Sequence, residues 1–426
     1  MSDDTIIILG IPVDNLDMDE TVDHIFEMIE AFKADGRSRQ VATVNLDFVV
    51  NTLTWGLKHI RHPELLDILR RADLVTADGM PIVWTSKLLG TPLTGRVTGA
   101  DLVPRLAEEA AKHGKSIYFL GGRGDVGKKA AELLRNRYPN LRVAGTDAPF
   151  VHTEGAALSG AEEEDQAIIE RINRSGADIL LIGFGNPKQE IWFDRNINRL
   201  KVPVSIGIGG TYEFITGSVA RAPVWMQETG LEWIFRITQD PKRLWKRYFV
   251  GFLKFGLMVL PAILYHKYRR LLFDLYYRAG MVPDVHTHPA DNSEIASVGV
   301  ITLPISLDAA AVMRIKENIE KKAGQYSNTI LDFNRVDFID SSGLGMLVTL
   351  WRKTKENRRK LFMIKINSTI RRFFVLNRVI DLFKDRIFDD LNETLSHIKE
   401  MSTLPSFYCL EVIRAEDVIF NFFGTL

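Results

Sequence analysis

The stretch that decides the fold is KSIYFLGGRGDVGKKAAELLRNRYP, residues 115–139. Its first residues form an apolar run typical of a buried strand, a glycine-rich turn follows, and the rest has a helical pattern that stops at Pro139. Strands that alternate with helices in this way build an open parallel sheet. The stretch therefore predicts a Rossmann-like α/β architecture.

The same alternation of short apolar runs and helical stretches continues from residue 5 to about residue 230. Several runs are rich in Val, Ile and Leu, as strands covered on both faces of a parallel sheet are. We therefore predict an α/β fold class with a first domain at residues 1–230. The predicted strands are TIIILGIP, RQVATVN, ADLVTAD, KSIYFLGG, LRVAGTD, ADILLIGFG and VPVSIGIGG.

Length and composition limit the function classes. A chain of 426 residues is too long for one core, so we expect two or three domains. The formal net charge is zero, which gives no support to nucleic-acid binding. Cys409 is the only cysteine, which excludes an intramolecular disulfide and a cysteine-based zinc site and suits a reducing cytosol. The N-terminal MSDDTIIILG lacks the pattern of a signal peptide, so we expect a cytoplasmic location.

Residues 231–280 differ from the first domain because they are apolar, aromatic and basic at once. The apolar run 249–265 is shorter than the roughly 20 residues of a membrane-spanning helix, and basic clusters flank it on both sides. We therefore predict a helical appendage that lies in the membrane interface or re-enters it, on the inner face of the cell membrane. The alternative is a basic helical hairpin packed on the domain or on another subunit.

A second pattern of alternating strands and helices occupies residues 298–400, after a linker at 281–297 that contains Pro, Asp, Asn and Ser. This pattern predicts a small second α/β domain. Residues 401–426 form an apolar tail to which the sequence assigns no role.

Polar side chains follow two of the predicted strands. Thr43 and Asn45 end one strand, and alternation places them on the same face. Asp78 ends another. The carboxyl ends of strands in an open α/β sheet face the ligand crevice, so these residues are candidates for binding sugar hydroxyls and for general-base chemistry. The alternatives are a polar strand exit for the first two residues and a helix N-cap for Asp78.

Two further features suit phosphate. Gly122, Gly124 and Gly127 satisfy the GxGxxG pattern, which lets a diphosphate meet backbone N–H groups at a helix start. Asp147 lies where a dinucleotide fold has its ribose-binding acid, so an NAD(P)-dependent oxidoreductase is one reading of residues 122–127, and a nucleoside-diphosphate sugar is the other. Arg96 lies near a glycine and an acid, which suits phosphate or acceptor orientation; the alternative is a surface turn.

Residues 183–190, GFGNPKQE, run from a strand into a helix. This places Gln189 in the first helical turn near the crevice, where an amide binds a base or a sugar without adding charge. Glu190 is interpreted as a favourable first-turn carboxylate. The crevice motifs contain no DxD pair, so we predict no metal.

Taken in order, these motifs resemble the WecG/TagA/CpsF glycosyltransferases, glycosyltransferase family 26, over residues 5–255. The pieces that carry the resemblance are TVNLDFV, ADLVTADGMPIVW, RVTGADL, YFLGGRGDVG, GFGNPKQEIW, IGIGGTYEFITG, RAPVWMQETGLEWIFR and DPKRLWKRY.

The resemblance implies an inverting, metal-independent enzyme without a cofactor. It would move an N-acetylmannosamine-type sugar from a UDP-sugar to a polyprenyl-diphosphate-linked acceptor in cell-envelope or exopolysaccharide synthesis. Asp78 matches the catalytic base. Residues matching the lining of the site are Thr43, Asn45, Arg96 and Gln189, and those matching arginines that close over it are Arg236, Arg243 and Arg247, the last of which Lys246 could replace. A non-catalytic regulator that only binds ligand is a further alternative.

Residues 330–345, ILDFNRVDFIDSSGLG, resemble the STAS domain of anti-sigma-factor antagonists, and so does the whole of 298–400. In regulatory members the serine after the Asp is phosphorylated, which implies Ser341 as the modification site and a kinase or an anti-sigma-type protein as a partner. The alternative is that Asp340 and Ser341 only cap a helix. The chain departs from the family pattern at 304–308, PISLD, where a glycine is usual.

Overall fold

The computed structural model describes residues 4–52, 63–153, 158–276, 286–289 and 298–403. The chain divides into two compact units: the first contains the chain up to Leu275 with Asp340–Thr349 and Leu376–Arg378, and the second contains the remainder. The predicted linker, apart from residues 286–289, and the predicted tail from residue 404 onward lie outside the described residues.

The first unit alternates strands and helices as the sequence predicts. Its strands are β1 (Thr5–Ile8), β2 (Ile11–Asp14), β3 (Arg39–Val44), β4 (Leu74–Ala77), β5 (Ser116–Gly121), β6 (Arg142–Asp147), β7 (Ile179–Gly183) and β8 (Val204–Gly207). Its helices are α1 (Met18–Asp35), α2 (Leu46–Asn51), α3 (Pro63–Arg71), α4 (Met80–Leu88), α5 (Gly99–Lys112), α6 (Val126–Arg137), α7 (Leu158–Ser175), α8 (Lys188–Asn196), α9 (Thr211–Ile215), α10 (Val224–Glu228), α11 (Glu232–Gln239) and α12 (Pro241–Tyr276).

Six of these strands form one parallel sheet in the order β4-β3-β8-β7-β5-β6. Alternate residues of each strand point to opposite faces. Phe119 and Leu181 join the core on the side of α1, α5 and α6, whereas Leu120 and Ile182 join the core on the side of α7 and α8. Covering both faces requires the near-continuous apolar runs seen in the sequence, so the predicted α/β fold class is confirmed.

The predicted strand TIIILGIP is wrong in one respect. The structure has two antiparallel strands there, β1 and β2, joined at Leu9 and Gly10, which both have positive φ angles of 50° and 84°. Gly10 adopts this left-handed conformation at little cost because it has no Cβ. The sequence did not reveal the turn because the residues on both sides of it are mainly apolar. Every residue from Thr5 to Asp14 is buried, so no polar stretch marks the turn.

The appendage is dominated by α12, which contains 36 residues and continues through Pro261. The apolar run 249–265 is therefore the middle of a long helix and not a short segment, because the basic residues on both sides are good helix formers. One face of α12 packs Phe255, Val259 and Ile263 into the core beside β3 and β4. By length and composition alone, the stretch Leu244–Leu275 is the one helix in the described ranges long and apolar enough to cross a membrane.

The second unit is also α/β. Its strands are β9 (His286–Pro289), β10 (Val298–Thr302), β11 (Ser306–Leu307), β12 (Asn328–Asp332), β13 (Phe338–Ile339), β14 (Lys360–Ile364) and β15 (Ile387–Phe388). Five of them form a sheet in the order β15-β14-β12-β10-β9, in which only β9 is antiparallel. The helices that follow β9 in the chain are α13 (Ala309–Ala323), α14 (Ser341–Glu356), α15 (Ser368–Leu376), α16 (Ile380–Phe383) and α17 (Leu391–Thr403).

Helix α17 closes the second α/β pattern and runs three residues past the predicted domain end at residue 400. It packs Leu395 and Ile398 against Ile330 and Phe362 of the sheet. It thereby covers part of one face of this sheet.

Candidate active site

A cleft of about 1130 Å³ runs along the carboxyl ends of β3, β4, β5, β7 and β8. Most of the predicted site residues line it, namely Thr43, Asn45, Asp78, Arg96, Gly122, Gln189, Arg236 and Arg247. Gly124 belongs to the same loop, but Arg123 is the loop residue that lines the cleft beside Gly122. The side chain of Arg243 lies outside the described part of the chain.

Asp78 follows β4 directly and is half-buried in the cleft wall. Its backbone N–H donates to the carbonyl of Val44 at 2.8 Å, and its Oδ2 accepts from Asn45 Nδ2 at 3.4 Å. Burial raises the pKa of Asp78 to about 7, although Arg236, the hydrogen bond from Asn45 and Arg96 oppose the rise. The N-cap alternative is wrong, because Gly79 occupies the N-cap of α4 and no side chain caps that helix.

Thr43 and Asn45 line the cleft from the end of β3, but both also hold the local structure together. Thr43 Oγ1 donates to the carbonyl of Gly207 on the neighbouring strand at 3.0 Å. Asn45 is the N-cap of α2, where its Oδ1 accepts from the N–H of Asp47 at 3.0 Å. The amide nitrogen of Asn45 is thereby turned toward Asp78, so its orientation is set before any substrate arrives.

Glu232 organises two of the predicted arginines. Its Oε2 accepts from Arg96 Nη1 and its Oε1 from Arg236 Nη2, each at 2.9 Å. Burial works to raise the pKa of Glu232, but Arg236 and Arg96 outweigh it, and the pKa is lowered. The guanidinium of Arg236 also lies over the ring of Phe214, 4.7 Å from its centroid. Glu232 was not predicted from the sequence, although its spacing of four residues from Arg236 in a helix is a signal for this pair.

The first turns of α12 bring more positive charge to the cleft. Arg247 lines the cleft and forms an ion pair with Asp47, and Lys246 lines the cleft beside it. The sequence left open which of these two residues closes over the site, and both of them reach it. Altogether six basic and four acidic side chains line the cleft. The excess of basic groups suits an anionic ligand.

The glycine loop after β5 has the conformation that its sequence requires. Gly121, Gly122 and Gly124 have φ angles of 90°, 85° and 60°, and the N–H of Gly122 donates to the carbonyl of Gly183 at 3.0 Å. Helix α6 begins at Val126, so the N–H groups of its first turn follow the loop, as in anion-binding turns. The predicted ribose acid, Asp147, is paired with Arg171 and does not line the cleft, so its position gives no support to dinucleotide binding there.

We expect Gly127→Ala to disturb this loop. A Cβ at Gly127 would lie 2.7 Å from the carbonyl oxygen of Gly121, and a backbone atom cannot swing aside as a side chain does. Overpacking of this kind costs about 1–3 kcal/mol of unfolding free energy. Gly95→Ala is the matched control, because a Cβ there meets no described atom within 4 Å. Urea unfolding of both variants measures the difference, and equal midpoints would contradict the prediction.

Gln189 and Glu190 form a buried pair at the start of α8. Gln189 Oε1 accepts from the N–H of Gly209 at 3.0 Å, and its Nε2 donates to Glu190 Oε1 at 2.6 Å. Burial raises the pKa of Glu190 to about 7, against hydrogen bonds from Gln189 and Asn186. The sequence suggested that Glu190 is only a favourable carboxylate in the first helical turn, but the structure buries it. Strand β8 packs over Glu190, and no local sequence pattern reveals this contact.

A metal site is not evident in the described residues, because no group of three or more His, Cys, Asp or Glu side chains is arranged to hold a metal ion there. The metal-free reaction stays a prediction. It requires the basic side chains of the cleft to balance the negative charge that a metal ion would otherwise balance.

Ser341, the predicted modification site, is the first residue of α14 and its side chain is fully buried. Asp340 Oδ1 accepts from the N–H groups of Ser342 and Gly343 at 2.8 and 3.1 Å, so Asp340 caps the helix as the alternative interpretation held. The hydroxyl of Ser341 has no hydrogen-bond partner among the described residues. Phosphorylation of Ser341 stays a prediction, and it requires a state in which this hydroxyl is exposed.

Comparisons with known proteins match two families to two parts of the chain. The model of the Glycosyl transferase WecG/TagA/CpsF family matches residues 6–269, and that of the STAS domain matches residues 290–394. The N-acetylglucosaminyldiphosphoundecaprenol N-acetyl-beta-D-mannosaminyltransferases of Staphylococcus aureus strains MRSA252 and MW2 are each 30% identical over 239 residues, which cover 56% of this chain and 85% of theirs. Among solved structures, phosphorylated SpoIIAA of Bacillus is 21% identical, with a TM-score of 0.23, over 27% of this chain and 99% of its own.

Proposed function

The chain belongs to the WecG/TagA/CpsF family of glycosyl transferases, and from this premise we propose that it moves an N-acetylmannosamine-type sugar from a UDP-sugar to a polyprenyl-diphosphate-linked acceptor. The observation that carries the proposal is Asp78, whose pKa of about 7 suits a general base and which lies in a cleft with Arg96 and Arg236.

In the proposed reaction an acceptor hydroxyl attacks the anomeric carbon of the donor sugar while Asp78 takes its proton. The new C–O bond forms on the face opposite the bond to UDP, which breaks, so the configuration inverts. UDP leaves with the bonding electrons. Arg96 and Arg236 are the groups we assign to the developing charge, since fixed positive groups in a shielded site stabilise it most.

The donor end of the cleft is assigned to the glycine loop. Backbone N–H groups at the start of α6 are suited to a diphosphate, and Arg123 adds a positive side chain beside Gly122. These groups together with the arginines are the proposed substitute for a divalent cation. Gln189 has little freedom left for the donor, because its oxygen and one N–H are committed to Gly209 and Glu190.

We assign the protein to the inner face of the cell membrane, with the STAS domain as a regulatory module that a kinase or an anti-sigma-type protein addresses through Ser341. The membrane assignment is supported by α12, which buries one face in the core and exposes large apolar side chains on the other. A helix that packs one face on protein lies along an interface more readily than it spans a bilayer.

A panel of UDP-sugars with a short-chain acceptor carrying N-acetylglucosamine diphosphate tests the function directly. Mass spectrometry of the acceptor should show the addition of one N-acetylhexosamine from UDP-N-acetylmannosamine. Release of UDP without a modified acceptor would mean that water takes the sugar, so the protein would be a hydrolase and the proposed transfer would be wrong. Absence of any product in the panel would contradict the proposal.

Nucleotide binding separates the proposal from an NAD(P)-dependent oxidoreductase. We expect UDP to raise the melting temperature because it binds between the glycine loop and the arginines that line the cleft. Ligand at 100 times its Kd contributes about 2.7 kcal/mol to stability. NADH should leave the melting temperature unchanged, since Asp147, the candidate ribose acid, pairs with Arg171 and does not line the cleft. Differential scanning fluorimetry measures both, and a shift with NADH alone would favour the oxidoreductase.

The pH dependence of kcat/KM should show an acidic limb at about pH 7. Only the deprotonated form of Asp78 accepts a proton, and burial raises its pKa to about 7, so the rate should fall about tenfold for each pH unit below that value. Glu190 has a similar pKa, and Glu190→Gln is therefore the control: it should keep the limb. A wild-type profile flat down to about pH 5 would exclude Asp78 as the base.

A further inference from the structure

A second cavity of about 520 Å³ adjoins the cleft, and aromatic or aliphatic side chains alone line it. We call it the aromatic groove, formed by Trp84, Trp233, Ile237, Trp245, Phe249 and Phe252. Its volume is within the range of sites for small ligands, about 300–1,000 Å³. A concentration of large rings at a surface marks a place where an apolar partner binds.

The groove is open to solvent along one side. Trp245 and Phe249 are 55% and 64% exposed, and Trp84 is 36% exposed. Trp84 is nevertheless held in place, because a Cβ on Gly230 would lie only 2.6 Å from its ring. The groove therefore has at least one wall fixed by packing, and part of its aromatic surface is exposed to solvent.

The groove and the cleft share a wall. Trp233 and Phe252 line both cavities, and their rings meet edge to face with centroids 4.9 Å apart. Trp84 lies on α4, the helix that begins two residues after Asp78. A molecule that reaches Asp78 along this wall therefore passes directly from apolar to polar surroundings.

Charge changes sharply at this shared wall. Lys246 and Arg247 line the cleft, whereas their helix neighbours Trp245 and Phe249 line the groove. One turn of α12 thus presents positive charge to one cavity and aromatic rings to the other. This arrangement complements an amphiphile whose anionic head is joined directly to an apolar chain.

Beyond the groove, the apolar surface continues along the same side of α12. Leu253, Leu257, Leu260 and Leu264 are exposed and follow Phe249 at steps of three or four residues, which is the spacing of one helix face. An apolar chain leaving the groove meets this row and not polar surface. The row leads away from the cleft, as the far end of a long chain requires.

We infer that the aromatic groove binds the first isoprene units of the polyprenyl chain of the acceptor, with its diphosphate beside Lys246 and Arg247. The inference rests on the proposed function, since it extends the acceptor from the cleft. A second copy of the chain or a bilayer acyl chain would cover the rings, but neither accounts for the cationic cleft that shares their wall.

Two variants in the full-length protein test the inference: Trp245→Ala and Phe249→Ala. Leu133→Ala is the matched control, because Leu133 is 46% exposed on α6 and lines neither cavity. In detergent micelles, kcat/KM is measured for an undecaprenyl-diphosphate acceptor and for one with a short alkyl chain. The ratio of the two should fall about tenfold in each groove variant and stay at the wild-type value in the control. An unchanged ratio in both groove variants overturns the inference.

A binding measurement separates this inference from the proposed function. Farnesyl diphosphate should raise the melting temperature more than inorganic pyrophosphate does in the wild type and in Leu133→Ala, and the difference should vanish in Phe249→Ala. Equal shifts in the wild type overturn the inference even if the enzyme is active. A difference confined to the groove supports it even if no sugar is transferred.

The other occupants have their own signatures. If the groove variants lose binding to lipid vesicles while the acceptor ratio stays unchanged, the rings insert into the bilayer. If they lose self-association in sedimentation while the ratio stays unchanged, the groove is an interface between copies. Either result overturns the inference.

Discussion

Asp78→Asn should lower turnover by about 10²–10⁴-fold, because a general base contributes about that much to a proton-transfer step. The amide keeps the shape of the carboxyl and the hydrogen-bond distance to Asn45 but accepts no proton. Donor binding should change little, since Arg96, Arg236 and the glycine loop are untouched. Single-turnover kinetics and titration with UDP measure the two effects, and wild-type turnover by this variant would remove Asp78 from the mechanism.

The same substitution should stabilise the protein at alkaline pH. Burial raises the pKa of Asp78 from 3.8 to about 7, so the folded state holds its proton more tightly than the unfolded state does. Stability is therefore lost as pH rises from about 4 through about 7, and a shift of about three units corresponds to about 4 kcal/mol. Asp78→Asn should escape this loss.

The measurement is urea unfolding of the wild type and Asp78→Asn at about pH 8 and about pH 4, on either side of the titration. The variant should be more stable by up to about 4 kcal/mol at the higher pH and by much less at the lower pH. Asp194→Asn is a suitable control, because that carboxylate pairs with Arg71 on the surface. A variant less stable than the wild type at high pH would mean that the carboxylate is well solvated.

Arg236→Ala is the second large effect, with an expected fall in kcat/KM of about 10²–10³-fold. The variant removes a charge that we assign to the leaving diphosphate. It should also move the acidic limb above pH 7, since Arg236 is the strongest influence that lowers the pKa of Asp78. A structural defect alone would not move the limb, so the pH profile separates the two explanations.

Two companion variants sharpen this test. Arg171→Ala removes an arginine paired with Asp147 outside the cleft, and it should keep wild-type kinetics. Glu232→Gln releases Arg96 and Arg236 from a shared carboxylate without removing positive charge, so its loss should be smaller than that of Arg236→Ala. A larger loss in Glu232→Gln would mean that the position of the arginines matters more than their charge.

Part of the site was predictable because it follows from strand order along the chain. Asn45 and Asp78 directly follow apolar strands and Thr43 lies near the end of one, and the carboxyl ends of parallel strands share one edge. The glycine loop was predictable for the same reason. Glu232 was missed because its role depends on Arg96, which lies far away in sequence, and a single chain carries no local sign of that pairing.

The buried carboxylates show a second limit. Nothing in GFGNPKQE indicates that Glu190 lies beneath β8, where a Cβ on Gly207 would come within 2.8 Å of its Oε1. Likewise, no local pattern distinguishes a capping Asp78 from one whose pKa is raised to about 7. Burial depends on which elements pack over a residue, and that is decided by contacts distant in sequence.

By itself, the sequence determined the α/β architecture of both domains, the strands of the large sheet and the residues at their carboxyl ends, because apolar periodicity and turn residues act locally. Only the tertiary structure decided which way α12 faces, how the arginines share Glu232 and that an aromatic groove adjoins the cleft. These features depend on how a helix is rotated when one of its faces packs into a core. The sequence of α12 mixes apolar, aromatic and basic residues without one dominant apolar face, so it is compatible with several rotations.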